Sequence, residues 1–247
     1  MSLKNKNILV TGAGQGIGNA LCKQLFIIGA NVIAVSRNAA HLDSLKSDCS
    51  RLGGGNITTL QLDLTDSWDV IRKTLQSEVK VTLNGLVNNA GVAYIKPFEE
   101  ITEDDFEATF NVNIKAVFNV TQSLLPKFRE GSNIVNVSSL ASTRSFDGHS
   151  AYSATKAAVD SLTKSLALEL GPKKIRVNSV NPTVILTNMG RENWSDPKKA
   201  DPLLNHIPLH RFGEVEEVVK AIIYLLGDES SYVNGHQLFL EGGYSVQ

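Results

Sequence analysis

An α/β fold is what this sequence predicts: a single domain built on a parallel sheet with helices on both faces. Three observations carry the prediction. Strand-like and helix-like segments alternate from end to end. The strand-like segments are short, continuously apolar and rich in Val, Ile and Leu, as strands buried on both faces are. No repeat, low-complexity stretch or Pro/Gly-rich linker divides the 247 residues, and 42% of them are hydrophobic, ample for a buried core.

In chain order, NILVT opens the sheet, and a helical pattern over about 16–28 follows its glycine-rich end. NVIAVS and ITTLQLD flank a helix over about 39–52, and a helix over about 66–78 leads into LNGLVNNA. Helical periodicity then predicts one long helix over about 103–129, followed by the strand NIVNVSS. A helix over about 151–171 leads to IRVNSVNP, and one over about 214–227 leads to the last strand, HQLFLEGG. The exception is 183–213, which is long and irregular, holds Pro197, Pro202 and Pro208, and follows a strand's carboxyl end. Loops of that length in compact domains are functional lids or mobile inserts. Met189, Trp194 and Leu203 give this one something to bury, which favours a substrate lid.

Charge and targeting features narrow the function classes. Basic residues number 24 against 25 acidic ones, so no electrostatic footprint for nucleic acid or an anionic membrane is present. Cys22 and Cys49 have neither metal nor redox spacing, and their scarcity suits a reducing compartment. The start runs straight into a strand without a signal-peptide core, and no apolar run approaches the roughly 18 residues of a spanning helix. Glycosylation-type triplets at Asn56, Asn119, Asn136 and Asn193 then read as chance matches. A cytoplasmic protein with no metal and no membrane or nucleic-acid partner is expected.

The first strand enters the first helix through ILVTGAGQGIG, with glycines at 12, 14, 16 and 18. Glycine lets a backbone turn sharply and approach a pyrophosphate, whose charge sits at the positive helix N-terminus. An ordinary glycine-rich turn is the bland alternative, and the strand before and helix after argue against it. Where the second strand ends, an acidic residue would bind the adenosine ribose hydroxyls of NAD; here Ser36 and Arg37 stand instead. A hydroxyl beside a guanidinium suits a 2′-phosphate, which points to NADP(H) unless Arg37 lies on a solvated loop. Asp63, ending the third strand, is placed to accept from an adenine amino group or simply to form a turn.

Tyr152 and Lys156 are four residues apart, with Ser139 thirteen residues before the tyrosine. A helix brings i and i+4 onto one face, with Cβ atoms about 5–6 Å apart. An ammonium there predicts that Tyr152 titrates below its ordinary value of about 10, ready to give or take a proton. Tyr-x-x-x-Lys alone is common on exposed helices, so the rest of the chain must support it.

Thr11–Gly18, Asn88–Gly91, Asn113, Ser139, Tyr152 and Lys156 together resemble the short-chain dehydrogenase/reductase family, in the right order over nearly the whole chain. The resemblance implies a Rossmann-type sheet of about seven strands, a nicotinamide cofactor, and a homotetramer or homodimer joined through the helices carrying Asn113 and Tyr152. It implies that Tyr152 is the general acid, that Lys156 lowers its pKa and binds the nicotinamide ribose, and that Ser139 holds the substrate oxygen. Asn113, locally unfavourable in mid-helix, would hold a water in a proton relay. The cofactor would also touch Gly12, Gly14, Gln15, Gly16, Ile17 and Gly18 in the loop, Ser36, Arg37, Asp63 and Leu64 beside the adenosine, and Asn89, Ala90 and Gly91 at the ribose. Pro182, Val184 and Thr187 would lie near the carboxamide.

Below family level, Pro182-Thr183 in place of the usual Pro-Gly, Trp194–Pro197, ELGPKKIRVN and SRNAAHLDSL resemble the L-xylulose reductase (dicarbonyl reductase) branch. That branch implies NADPH-dependent reduction of small α-dicarbonyls and of L-xylulose to xylitol, with His149 and Trp194 flanking the substrate. A surface or structural His149 and a Trp194 that merely packs the lid stay open as alternatives. Two departures stand out: Gln15 occupies a position often basic in NADP-preferring relatives, and no cysteine lies near 140–142 or the C-terminus. A 3-oxoacyl thioester reductase and a catalytically silent cofactor-binding scaffold are the rival functions.

Overall fold

The computed structural model describes residues 3–187, 190, 191 and 194–246. Each apolar run becomes a strand: β1 (Asn7–Thr11), β2 (Asn31–Ser36), β3 (Asn56–Gln61), β4 (Leu83–Asn88), β5 (Phe128–Val137), β6 (Arg176–Pro182) and β7 (Gln237–Leu240). They form one parallel sheet in the order β3-β2-β1-β4-β5-β6-β7. The order reverses between β1 and β4, which leaves a crevice at the carboxyl ends of those strands.

Helices α1 (Gly16–Ile27), α2 (Ala39–Leu52), α3 (Trp68–Glu78), α4 (Glu103–Phe110), α5 (Ala116–Leu124), α6 (Ser150–Leu170), α7 (Pro197–Asn205) and α8 (Val215–Leu226) complete the chain. Successive strand residues point to opposite faces, and both faces are apolar. Ile8, Val10, Val87 and Val135 therefore pack against α1, α2 and α8, through Leu21, Leu25, Leu45 and Ile222. Leu9, Leu86, Ile134 and Val177 face the other way, onto Ile71, Leu75, Leu124 and Leu170 of α3, α5 and α6.

Two expectations are corrected. The single helix over about 103–129 is broken: α4 gives way to a π-helical turn at Asn111–Lys115, and a 3₁₀ turn at Leu125–Lys127 ends α5. Asn113 accounts for the first break, because its side chain is drawn across to the main chain of Val92 and a π turn accommodates the extra residue. Pro126, without an N–H, accounts for the second. β5 then begins at Phe128, before NIVNVSS, with a register shift opposite Leu83 and Gly85. The 183–213 segment is not irregular throughout. Pro197 starts α7 behind the Asp196 cap, and Ile185 bridges Gly213. Ala200, Leu203, Ile207 and Phe212 form a small core of their own there. Met189 and Asn193 lie outside the described residues.

No helix among the described residues is long and apolar enough to cross a membrane. Asn119 and Asn136 are buried, so neither offers a surface for glycosylation. Asn136 instead belongs to a polar row inside the protein. Asn88 Nδ2 donates to Asn136 Oδ1 (2.8 Å) and to Thr121 Oγ1 (3.1 Å), and Asn136 Nδ2 donates to Thr163 Oγ1 (2.8 Å). This row ties β4 and β5 to α5 and α6 behind the crevice. Asn136→Leu takes one hydrogen bond from Asn88 and one from Thr163, which keep only Thr121 and the Val159 carbonyl, so chemical denaturation should show a loss of about 1–3 kcal/mol. An unchanged midpoint would contradict that role.

Candidate active site

The crevice starts at the loop between β1 and α1. Gly12 (φ +65°) and Gly16 (φ +54°) adopt left-handed backbone that other residues rarely take. A Cβ on Gly18 would stand 2.3 Å from the Gly12 carbonyl oxygen, so the helix can approach the loop only without one. Thr11 Oγ1 accepts from the main-chain N–H groups of Asn89 (3.0 Å) and Ala90 (3.2 Å). Asn89 Nδ2 donates to the carbonyls of Thr11 (3.0 Å) and Gly12 (3.2 Å). The Asn89 amide is thus committed to shaping the loop. Gln15, the cap of α1, makes no capping hydrogen bond, and the first turn, which includes Ile17, carries no acidic side chain. The first-turn N–H groups and helix dipole are therefore free to meet an anion. A pyrophosphate fits that cradle.

Thr187 faces the loop from the far side: a Cβ on Gly16 would lie 3.4 Å from its methyl group. Thr187 Oγ1 accepts from the Gly190 N–H (3.0 Å), and Val184 bonds through its main chain to Gly213. At the other end, a Cβ on Gly14 would meet Ser36 Oγ at 2.8 Å and His41 Nδ1 at 3.2 Å. Arg37 stands next to Ser36 and draws the Asp63 carboxyl down, a smaller effect than the hydrogen bonds Asp63 receives from Thr65 (2.9 and 2.7 Å). Asp63 therefore does form a turn, with Leu64 half-buried beside it. His41 was not singled out from the sequence. Its closeness to the glycine loop depends on the angle at which α2 leaves β2, and no local pattern records that.

Three elements converge at the crevice's inner end. Asn113 Oδ1 accepts from the Val92 N–H (2.9 Å), and its Nδ2 donates to the Val92 carbonyl (2.9 Å) and to Thr155 Oγ1 (3.1 Å). Lys156, on α6 and 4% exposed, donates from Nζ to the Val137 carbonyl at 2.8 Å. A Cβ on Gly91 would lie in ordinary contact with Asn113 Oδ1 (3.4 Å) and Lys156 Nζ (3.6 Å), so residue 91 borders that corner. The Lys156 ammonium lies 5.5 Å from the centre of the Tyr152 ring. Ser139, at the end of β5, accepts from the Ala141 N–H (3.1 Å) and approaches the Pro182 carbonyl at 3.5 Å.

The titration of Tyr152 runs opposite to the sequence-based expectation. Burial pushes its hydroxyl above the ordinary tyrosine value, and a hydrogen bond with Ser139 pulls it only partly back. Desolvation is the largest influence on this hydroxyl, and the ammonium one turn away is directed at the Val137 carbonyl. Lys156 moves down to about 8, mainly through burial, with Asp160 opposing the shift. The arrangement can hold a neutral phenol and an ammonium side by side and pass a proton from the first.

His149 immediately precedes α6. Its ring lies 6.1 Å from that of Tyr152 and 5.6 Å from Phe146, and its Nδ1 is 2.7 Å from the Asp147 carbonyl. Phe146 in turn contacts Tyr244 near the C-terminus at 5.6 Å. Trp194 packs on Phe212 at 5.9 Å within the core of the 183–213 segment. The structure thus brings His149 to Tyr152 and gives Trp194 a packing partner.

A family profile described as Enoyl-(Acyl carrier protein) reductase matches residues 12–245. The chain is 48% identical to L-xylulose reductase of Mesocricetus auratus, over 100% of this chain and 99% of that one. It is 45% identical to D-erythrulose reductase of Gallus gallus, over 100% and 98% respectively. A short-chain type dehydrogenase/reductase from Mycobacterium ulcerans superposes with a TM-score of 0.95 at 30% identity, covering 100% of this chain and 92% of the other.

Burying Lys156 costs stability, and that cost disappears over a defined pH window. Between about 8 and the ordinary lysine value of 10.5, the unfolded chain binds more protons than the folded one, so this residue makes stability rise with pH. Below that window the whole cost is present, roughly 3 kcal/mol. Lys156→Met should therefore abolish this residue's share of the rise in melting temperature between about pH 8 and pH 10.5. A variant whose stability climbs over that window as steeply as the parent's would refute this account.

Proposed function

The chain belongs to the short-chain dehydrogenase/reductase family, and from that premise we propose that it is an NADPH-dependent reductase of small α-dicarbonyls and L-xylulose. Interconversion of L-xylulose with xylitol is the reversible form of this reaction. The observation that carries the reading is the convergence of Asn113, Ser139, Tyr152 and Lys156 on one crevice beside a phosphate cradle. Its likeness along its whole length to proteins named L-xylulose reductase and D-erythrulose reductase supports the substrate class.

A nicotinamide held here would supply hydride for the carbonyl carbon. The protein's own residues do the rest. Tyr152 gives its phenolic proton to the carbonyl oxygen, and the burial that keeps it neutral suits this direction. Ser139 hydrogen-bonds the same oxygen as negative charge develops there. Lys156 stabilises the phenolate left on Tyr152 and binds the nicotinamide ribose, while Asn113 extends the proton relay. The loop from Gly12 to Gly18 holds the pyrophosphate, Ser36 and Arg37 take the 2′-phosphate, and Asp63 with Leu64 borders the adenine. Asn89, Ala90 and Gly91 line the ribose, and Pro182, Val184 and Thr187 meet the carboxamide. His149 flanks the substrate, and 183–213 with Trp194 closes over it as a lid.

On the same reading the protein is cytoplasmic and assembles as a homotetramer through the helices that carry Asn113 and Tyr152. Exposed Phe106, Phe118 and Leu168 on α4, α5 and α6 support that assembly. The family profile's description makes an acyl thioester the rival substrate.

Positioned acid–base catalysis contributes about 10²–10⁴-fold, so Tyr152→Phe should lower kcat by at least that range while cofactor still binds. Near-parental turnover in that variant would sink the assignment. Arg37→Asp should swing preference toward NADH, and the comparison of kcat/KM for the two cofactors decides it. An unmoved ratio would show that Arg37 does not read the phosphate.

A further inference from the structure

A buried carboxylate stands behind the crevice and has no part in the chemistry above. Asp160 lies on α6 one turn beyond Lys156 and two beyond Tyr152, and it is 4% exposed. Positions i, i+4 and i+8 fall close to one helix face. The groups that donate to Asp160 are neutral: Ser179 Oγ reaches Oδ1 at 3.2 Å, and Asn181 Nδ2 reaches Oδ2 at 2.8 Å. Neutral donors satisfy the oxygens but do not cancel the charge, and an uncompensated buried charge is costly.

Lys156 presents the complementary situation. From α6 it is faced by the Tyr152 ring and by the Asp160 charge. From β5 it meets the Val137 carbonyl, and from the loop after β4 and the π turn it meets Gly91 near Asn113, all uncharged. Lys156 and Asp160 are thus two buried ionisable groups one helical turn apart on α6, and the Asp160 charge favours the ammonium. Asn181 extends the effect to the third residue of the site. Its Nδ2 also lies 3.2 Å from the Ser139 main-chain oxygen and 3.1 Å from Ser142 Oγ. The amide that Asp160 orients is thus the one that clamps the backbone under Ser139.

We propose that Asp160 is a positioning residue for the reduction: through Asn181 it fixes the main chain at Ser139, and its charge keeps Lys156 an ammonium. Because this role rests on the reductase reading, one arm of the test needs no turnover. Lys156 acetylation by acetic anhydride, followed by mass spectrometry against pH, reports the fraction of free amine. In Asp160→Asn, an uncharged isostere, its midpoint should fall by about one pH unit. The second arm is kcat for NADPH-linked diacetyl reduction against pH. Its basic limb should fall by the same amount, lowering kcat at pH 8 roughly fivefold as the ammonium fraction drops. Asn181→Ala keeps the charge but loses the clamp, so it should lower kcat without moving the Lys156 midpoint; it also serves if Asp160→Asn does not fold. An Asp160→Asn acetylation profile that superimposes on the parent's, or an unchanged kcat in Asn181→Ala, would overturn the proposal. A parent enzyme inert toward every carbonyl would instead fell the reductase reading, with the acetylation midpoint still deciding whether Asp160 supports Lys156.

Discussion

The hydrogen bond from Lys156 Nζ to the Val137 carbonyl, 2.8 Å long, joins α6 to the carboxyl end of β5 and holds a charge inside the protein. Much of the site is arranged around that bond. It points the ammonium beneath the Tyr152 ring and sets the height of α6 against the sheet. Gly91 borders the corner that Lys156 shares with Asn113. The π turn belongs to the same arrangement, since Asn113 reaches this corner by leaving the regular helical path. Burial disfavours that charge, so holding it there comes at the expense of stability.

The fold was largely legible because a parallel sheet buries both faces of its strands. Runs such as NILVT and NVIAVS are continuous apolar blocks, and the helices between them follow from their spacing. What escaped the sequence depends on contacts far apart along the chain. Asn113 looked like an anomaly within one long helix, and the pull of Val92 on its side chain explains the break. After half-buried Phe128, β5 runs through exposed Arg129, Glu130 and Gly131, so its start does not read as a strand. Within 183–213 the prolines suggested irregular chain, yet Pro197 occupies the one helical position that suits proline.

The candidate site divides in the same way. Tyr152, Lys156 and the glycine loop carry local spacing that any reader can find. Asp160, Asn181 and His41 carry none, because each matters through a partner on another element. The direction of the Tyr152 shift was misjudged for a related reason. Helical spacing reveals the neighbouring ammonium but not how deeply the hydroxyl is buried, and burial is the larger influence. A phenol held neutral matches proton donation to a carbonyl better than a phenolate would, so the correction favours the reducing direction.

The central claim is that this crevice reduces small carbonyls at the expense of NADPH. Cofactor oxidation by the purified protein, followed with diacetyl and L-xylulose beside a 3-oxoacyl thioester and repeated with NADH, tests it most directly. Rapid NADPH-specific turnover of diacetyl and L-xylulose is the predicted result. Turnover of the thioester alone would contradict the substrate assignment while sparing the proton relay, and inactivity toward all three would contradict the claim itself.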